Sequence, residues 1–279
     1  TKRPLENPST SMDADFPSVK SILRNLLTDG STRKRGLKRT VLSFKSLLLP
    51  LVATLTVFCA SRTPHTTDYE ESRKRMVEND IEARGVHDRA VLDAMLRVPR
   101  HLFVRPDYVK FAYSDSALPI EEDQTISQPY VVALMTDAAQ LDANDKVLEV
   151  GTGSGYQAAV LGEIVHEVYT IEIIEPLARK AGELLNQLEY TNIKVKHGDG
   201  YRGWDEAAPF DAILITAAAP KIPQPLVNQL KIGGRLVMPL GSMSHAQDLV
   251  VLTKTKEGLE RHLVTGVVFV PMTGEIRRE

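Results

Sequence analysis

Nine residues of this 279-residue chain, Val147-Leu148-Glu149-Val150-Gly151-Thr152-Gly153-Ser154-Gly155, combine types that could do chemistry. A short apolar strand runs into three glycines at alternate positions, which let the backbone turn sharply and come close to a ligand. Two phosphate-binding readings fail. In Gly-x-Gly-x-x-Gly counted from Gly151, the third glycine would fall at Tyr156, and no Gly-Lys-Ser/Thr follows for a P-loop. What remains is Glu-x-Gly-x-Gly-x-Gly, with Glu149 two residues ahead of the first glycine.

An anion beside a pyrophosphate is unfavourable, whereas a ligand carrying an ammonium group would welcome one. S-adenosylmethionine has that ammonium, a sulfonium and no phosphate. Glu172 follows at the end of the next strand, 23 residues after Glu149, where an acidic side chain can take both ribose hydroxyls. Asp199, in His197-Gly198-Asp199-Gly200, ends the strand after that, at the edge where an adenine would lie. Each carboxylate alone could be a cap or a solvated charge. Three at successive strand ends around one glycine loop point to a methyltransferase and leave its substrate open.

The elements that must position these residues alternate. Lys146–Val150, Val168–Ile171, Ile193–Lys196, Ala212–Ile215 and Arg235–Val237 read as strands. Gly155–Val165, Glu175–Leu188 and a stretch around Pro225–Leu230 read as helices. Such alternation predicts an α/β fold, a doubly wound, Rossmann-like, mostly parallel sheet covered on both faces. Leu249–Thr253 and Val264–Val270 flank Glu257-Gly258 and predict a C-terminal antiparallel hairpin. Upstream, Val91, Leu92, Met95 and Leu96 share a helical face ended by Pro99, and Pro129 opens a helix carrying Val131, Val132, Leu134, Met135 and Ala138.

Between these helices lies Leu118-Pro119-Ile120-Glu121-Glu122-Asp123-Gln124-Thr125-Ile126-Ser127-Gln128-Pro129-Tyr130. Together with the glycine loop, this segment resembles the protein-L-isoaspartate O-methyltransferase family, which repairs damaged aspartyl and asparaginyl sites in proteins. The likeness extends to Val98-Pro99-Arg100, Phe103-Val104, Ala117, Gly198-Asp199-Gly200, Gly203-Trp204 and Ala208-Pro209-Phe210-Asp211. It continues through Ile222-Pro223, Gly233-Gly234-Arg235 and Phe269-Val270-Pro271, and so covers residues 76–276 in order. It implies the S-adenosylmethionine-dependent methyltransferase fold, with S-adenosyl-L-methionine as methyl donor and proteins or peptides bearing L-isoaspartyl residues as substrates. D-aspartyl sites are left open. It also implies that Ser127 is the active-site residue and that Thr125, Ile126 and Gln128 close over the donor held by Glu149, Gly151, Gly153, Gly155, Glu172, Asp199 and Gly200. On residue type alone, Ser127 reads first as the N-cap of the helix at Pro129. An isoaspartyl carboxylate is ionised at neutral pH, so its attack on the methyl carbon needs no general base. Trp204 is assigned no role.

Composition narrows the alternatives. Lys and Arg number 34 against 36 Asp and Glu, but residues 1–75 hold 14 basic and 7 acidic side chains and residues 76–279 hold 20 and 29. A body at −9 disfavours a nucleic-acid partner, including an RNA methylated by an enzyme of the same fold. Cys59 is the single cysteine, and no two of the seven histidines are spaced i, i+4, so no metal is expected.

The first 75 residues read differently. Residues 1–40 lack a sustained apolar period and are expected to be disordered. A basic cluster, Arg33 to Arg39, precedes the apolar stretch 41–60, whose uncharged run of 15 residues is short for a membrane span and closer to a signal. Phe58 fits poorly before a lipidated Cys59. Residues 62–75 read as a linker, and 76–279 as the catalytic domain. The methyl donor and the repair role point to the cytoplasm. Export or anchoring through 41–60, with a non-catalytic binding protein as its extreme form, is the alternative, and the only route to membrane contact.

Overall fold

The computed structural model describes residues 66–241 and 245–277. The 1–40 segment, the apolar stretch 41–60 and Cys59 lie outside the described residues. Part of the expected linker is helical: α1 (Thr66–Arg75) runs directly into a wider turn (Met76–Ile81) and a 3-10 turn (Glu82–Arg84). The linker reading is therefore corrected for residues 66–75. The helix escapes an apolar-period search because its sequence, TTDYEESRKR, has no apolar stripe. Asp68 near its start and Arg73, Lys74 and Arg75 near its end suit the helix dipole, and Tyr69 stacks on His101 with ring centres 4.2 Å apart. Met76, Val77 and Ile81 then enter the core.

Asp88 caps α2 (Arg89–Arg97) by accepting the Ala90 and Val91 N–H groups. Val91, Leu92, Ala94 and Met95 are its buried face. Beyond it, Arg100 is fully buried, with Nε donating to the Ala112 carbonyl at 2.9 Å and Nη2 to that of Ser116 at 3.4 Å. This arginine fixes the approach to a small antiparallel hairpin, β1 (Leu118–Pro119) and β2 (Thr125–Ile126), which pairs Leu118 with Ile126 and Pro119 with Thr125. The hairpin feeds α3 (Pro129–Ala139), with proline in its first turn as expected.

The main sheet comprises β3 (Lys146–Val150), β4 (Glu167–Glu172), β5 (Ile193–His197), β6 (Phe210–Ile215), β7 (Leu230–Leu240), β8 (Gln247–Lys254) and β9 (Leu259–Val267). Their spatial order is β5-β4-β3-β6-β7-β8-β9, parallel through β7 and antiparallel from β7 to β9. The mostly parallel sheet and the closing hairpin agree with expectation. β9 starts five residues earlier than predicted and ends at Val267, because Glu257-Gly258 makes a tight turn and pairing begins at Leu259 with Lys254. β7 is much longer than the predicted Arg235–Val237 because Gly233-Gly234 continues the strand across a register shift against β6.

α4 (Tyr156–Gly162), α5 (Glu175–Gln187) and α6 (Gln224–Asn228) complete the layers. Neighbours in one strand face opposite ways. Val147 and Val168 join the core beneath α2, α3 and α4, while Leu148 and Ile213 join one on the other face that includes Leu226 of α6. Trp204 packs edge-on against Tyr169 at 5.0 Å, at the margin of this second core. From β3 the chain winds outward through β4 and β5, then returns to the other side of β3 as β6. Such a reversal opens a crevice at the carboxyl ends of the strands, where ligands of doubly wound folds bind.

Candidate active site

The glycine loop leaves β3 at this crevice. Gly151 has φ 103°, and a Cβ there would overlap Thr216 Oγ1, which itself donates to the Gly151 carbonyl at 2.6 Å. A side chain at 151 is thus excluded by both backbone and space. The loop borders an open cleft at the carboxyl ends of β3, β4 and β6, the place where ligands of doubly wound folds bind.

Of the residues predicted from sequence, Ser127, Thr125, Ile126, Glu149, Gly151, Gly153, Glu172 and Gly200 line this cleft. Glu149 has no solvent exposure; its Oε2 accepts the Thr170 hydroxyl at 2.5 Å, and its Oε1 has no partner. Burial, with Glu172 nearby, pushes its carboxyl up to about 8, against the opposing pull of the Thr170 hydrogen bond. Glu172 accepts the Gly153 N–H at 2.8 Å and the Ile174 N–H at 3.0 Å, which clamps the loop to β4 while each oxygen keeps a free lone pair.

Three predicted residues stand elsewhere. Asp199 is not among the residues lining the cleft: Oδ1 accepts the Tyr201 N–H at 3.0 Å and Oδ2 the Glu275 N–H at 2.8 Å. An aspartate ahead of a turn is a natural cap, and here Asp199 caps the turn at Gly200–Arg202. Gly155 opens α4 with φ 87°, a left-handed conformation that favours glycine, and lies against Ala181 and Leu185 of α5, so it serves the turn. Gln128 is the N-cap residue of α3 but makes no side-chain cap bond; its amide donates to Asp115 Oδ2 at 2.6 Å. The capping reading of Ser127 is overturned by the same geometry, since the cap position is one residue later.

Other cleft residues were not named as site residues from the sequence. Thr216 follows β6, and the rule that ligands gather at strand carboxyl ends is the signal that could have found it. Val270–Thr273 reach the cleft from beyond β9. Ala218 ties them down, its N–H donating to the Val270 carbonyl and its carbonyl accepting the Met272 N–H, each at 2.8 Å. A second groove runs beside the first, between Tyr130, Val131 and Leu134 of α3 and Thr265–Phe269 at and beyond the end of β9. Ser127, Thr125, Thr216 and Val270 belong to both walls.

Known proteins match this arrangement. A sequence profile described as protein-L-isoaspartate(D-aspartate) O-methyltransferase matches residues 71–277. The Shewanella sediminis protein-L-isoaspartate O-methyltransferase 2 is 52% identical over 238 residues, 83% of this chain and 97% of that one. The Gloeobacter violaceus protein-L-isoaspartate O-methyltransferase is 51% identical over 204 residues, 73% of this chain and all of that one.

This chain belongs to the protein-L-isoaspartate(D-aspartate) O-methyltransferase family.

Solved structures of the same family share the fold. One protein-L-isoaspartate O-methyltransferase superposes with TM-score 0.68 at 29% identity, covering 73% of this chain and 67% of that one. A Plasmodium falciparum protein described by the same name, solved with S-adenosyl-L-homocysteine, gives 0.63 at 26%, covering 72% and 98%. The family's methyl donor, S-adenosyl-L-methionine, suits the residues present. Two carboxylates face the cleft, none of its described lining residues is a lysine or arginine, and the buried Glu149 Oε1 lacks a donor that an ammonium group would supply.

Proposed function

We propose that this chain methylates the free carboxylate of L-isoaspartyl residues in damaged proteins at the junction of the two cavities, with Ser127 as the active-site residue. The single observation that carries this reading is that Ser127 lines both the donor cleft and the groove beside α3 and β9. A donor and a peptide approaching from the two sides would meet there.

When bound, S-adenosyl-L-methionine supplies a methyl carbon on a sulfonium, which the isoaspartyl carboxylate oxygen takes by displacement. The residues hold and align. Glu149 and Glu172 take the ammonium and ribose ends of the donor, and Gly151 and Gly153 allow the backbone to approach it. Thr125 and Ile126 cover it from the hairpin side. Ser127 orients the nucleophile by one neutral hydrogen bond, which need not deprotonate anything because a carboxylate near pKa 4 is already ionised. A charged donor would over-stabilise the anion, whose charge is neutralised as the ester forms. Alignment of this kind can supply roughly 7–11 kcal/mol of the barrier.

The catalytic domain is read as starting at α1, and residues 1–65 as an appendage. The N-terminal sequence of the native protein would decide whether it is retained. Cytoplasmic residence follows from the donor and the repair role, with export through 41–60 as the alternative. Among the described residues no helix is long and apolar enough to cross a membrane.

The test is transfer of labelled methyl to two peptides identical except for isoaspartate or aspartate at one position. Base-labile label on the isoaspartyl peptide alone supports the reading. Label on neither, with donor binding intact, overturns it.

A further inference from the structure

Asp115 lines neither cavity, yet its carboxylate grips the chain on both sides of Pro129. We propose that Asp115 is a positioning residue for methyl transfer, closing the base of the β1–β2 hairpin so that Ser127 is held where the two cavities meet. The proposal rests on the reading of Ser127 as the active-site residue.

Asp115 stands just ahead of β1, and its bonds fall just beyond β2. Oδ2 accepts Gln128 Nε2 at 2.6 Å, and Oδ1 accepts the Tyr130 N–H at 3.0 Å. The second bond supplies what α3 lacks. Gln128 provides no side-chain cap, Pro129 has no N–H, and Tyr130 is the first residue of the helix that needs an acceptor. Ser127 is thereby confined from both directions, by the Leu118–Ile126 pairing before it and the Asp115 bonds after it.

The carboxylate is itself fixed. Arg84 Nη1 donates to Oδ2 at 2.6 Å while its guanidinium lies over the Tyr130 ring, 3.4 Å from the centroid. The buried Arg100 guanidinium donates to the carbonyls of Ala112 and Ser116, on either side of Asp115 in the chain. The 82–84 turn and the Ser127 segment thus share one acceptor. A shift at the hairpin base would move Ser127 against both cavities, and in an alignment-controlled reaction a 1 Å misplacement costs on the order of 10²-fold.

The experiment is a kinetic double-mutant cycle on the full chain, with an isoaspartyl peptide as substrate and S-adenosylhomocysteine titrated calorimetrically as the donor-site probe. Asp115→Ala is expected to lower kcat about tenfold or more, with peptide KM and the probe's Kd within about threefold of wild type. Asp115→Asn, which keeps an acceptor for the Tyr130 N–H but sets an NH2 against the Gln128 and Arg84 donors, should recover only part of that loss. In a Ser127→Ala background, Asp115→Ala should cost less than about threefold, because the residue it positions is gone. An unchanged kcat, or an equal loss with and without Ser127, overturns the proposal. Wild-type turnover by Ser127→Ala alone would instead sink the assignment of Ser127. Should Asp115→Ala fail to fold, the same cycle with Gln128→Ala, which removes one bond and spares the cap, decides between the same outcomes.

Discussion

The Thr170 hydroxyl donates to Glu149 Oε2 at 2.5 Å, and the other oxygen of that wholly buried carboxylate has no partner. Glu149 therefore holds half of a hydrogen-bonding arrangement, and a carboxyl pushed up to about 8 is largely protonated at neutral pH. An arriving ammonium favours the ionised form. Binding of S-adenosylhomocysteine between pH 6 and 7.5 should thus release a proton. Calorimetry in buffers of different ionisation enthalpy checks this, and the release should vanish in Glu149→Gln, which should also bind more weakly.

The same carboxyl sets a stability trend. Its ordinary value is 4.5 and the fold raises it to about 8, so between those values the folded chain keeps a proton that the unfolded chain has lost. Its contribution to stability is greatest below about pH 4.5, falls as pH rises toward 8, and then levels off. Denaturant midpoints from pH 5 to 8 should decline less steeply in Glu149→Gln than in wild type.

Adding one methyl group at Gly151 should be costly. Gly151→Ala places a side chain at φ 103° and against Thr216 Oγ1, a combination expected to cost about 1–3 kcal/mol. Donor affinity should fall with stability, because the loop must move to relieve the overlap. Thr216→Ala should restore part of both losses, leaving the penalty of the backbone angle. If the double variant is no better than the single one, the overlap is not the cause.

Asp199 should behave as a latch. Removing it in Asp199→Ala leaves the Tyr201 and Glu275 N–H groups without their acceptor, worth about 1–2 kcal/mol of local stability. Hydrogen exchange at Glu275 and neighbouring amides should quicken, and donor affinity should weaken through the loosened Val270–Thr273 wall. A selective loss of affinity for adenine-containing ligands, with exchange at Glu275 unchanged, would favour the adenine-reading role over the latch.

What was legible in the sequence was what depends on local pattern. Strand–helix alternation gave the layers, and the glycine spacing with Glu149 and Glu172 gave the floor of the cleft. What was not legible depended on where the chain returns. Asp199 at a strand end looks the same whether or not it also caps a turn, and the bond from the distant Glu275 N–H has no signature in the sequence. Gly155 looks the same whether it lies against a ligand or against α5. Helix α1 is held by a charge gradient and by Tyr69 stacking on His101, neither of which has an apolar period. Asp115 carries no motif of its own; its importance lies in three partners separated from it by 13 to 31 residues.

The wall formed by Val270–Thr273 has a consequence for how the enzyme comes into being. These residues follow every strand of the sheet in the chain, yet they line the donor cleft and are stitched to Ala218. During synthesis the nucleotide loop, the hairpin and the whole sheet leave the ribosome before the last side of the pocket does. A nascent or prematurely ended chain can therefore own all three acidic strand ends and Ser127 and still lack a closed place to put the donor. Methylating competence is acquired late, as a property of a completed protein.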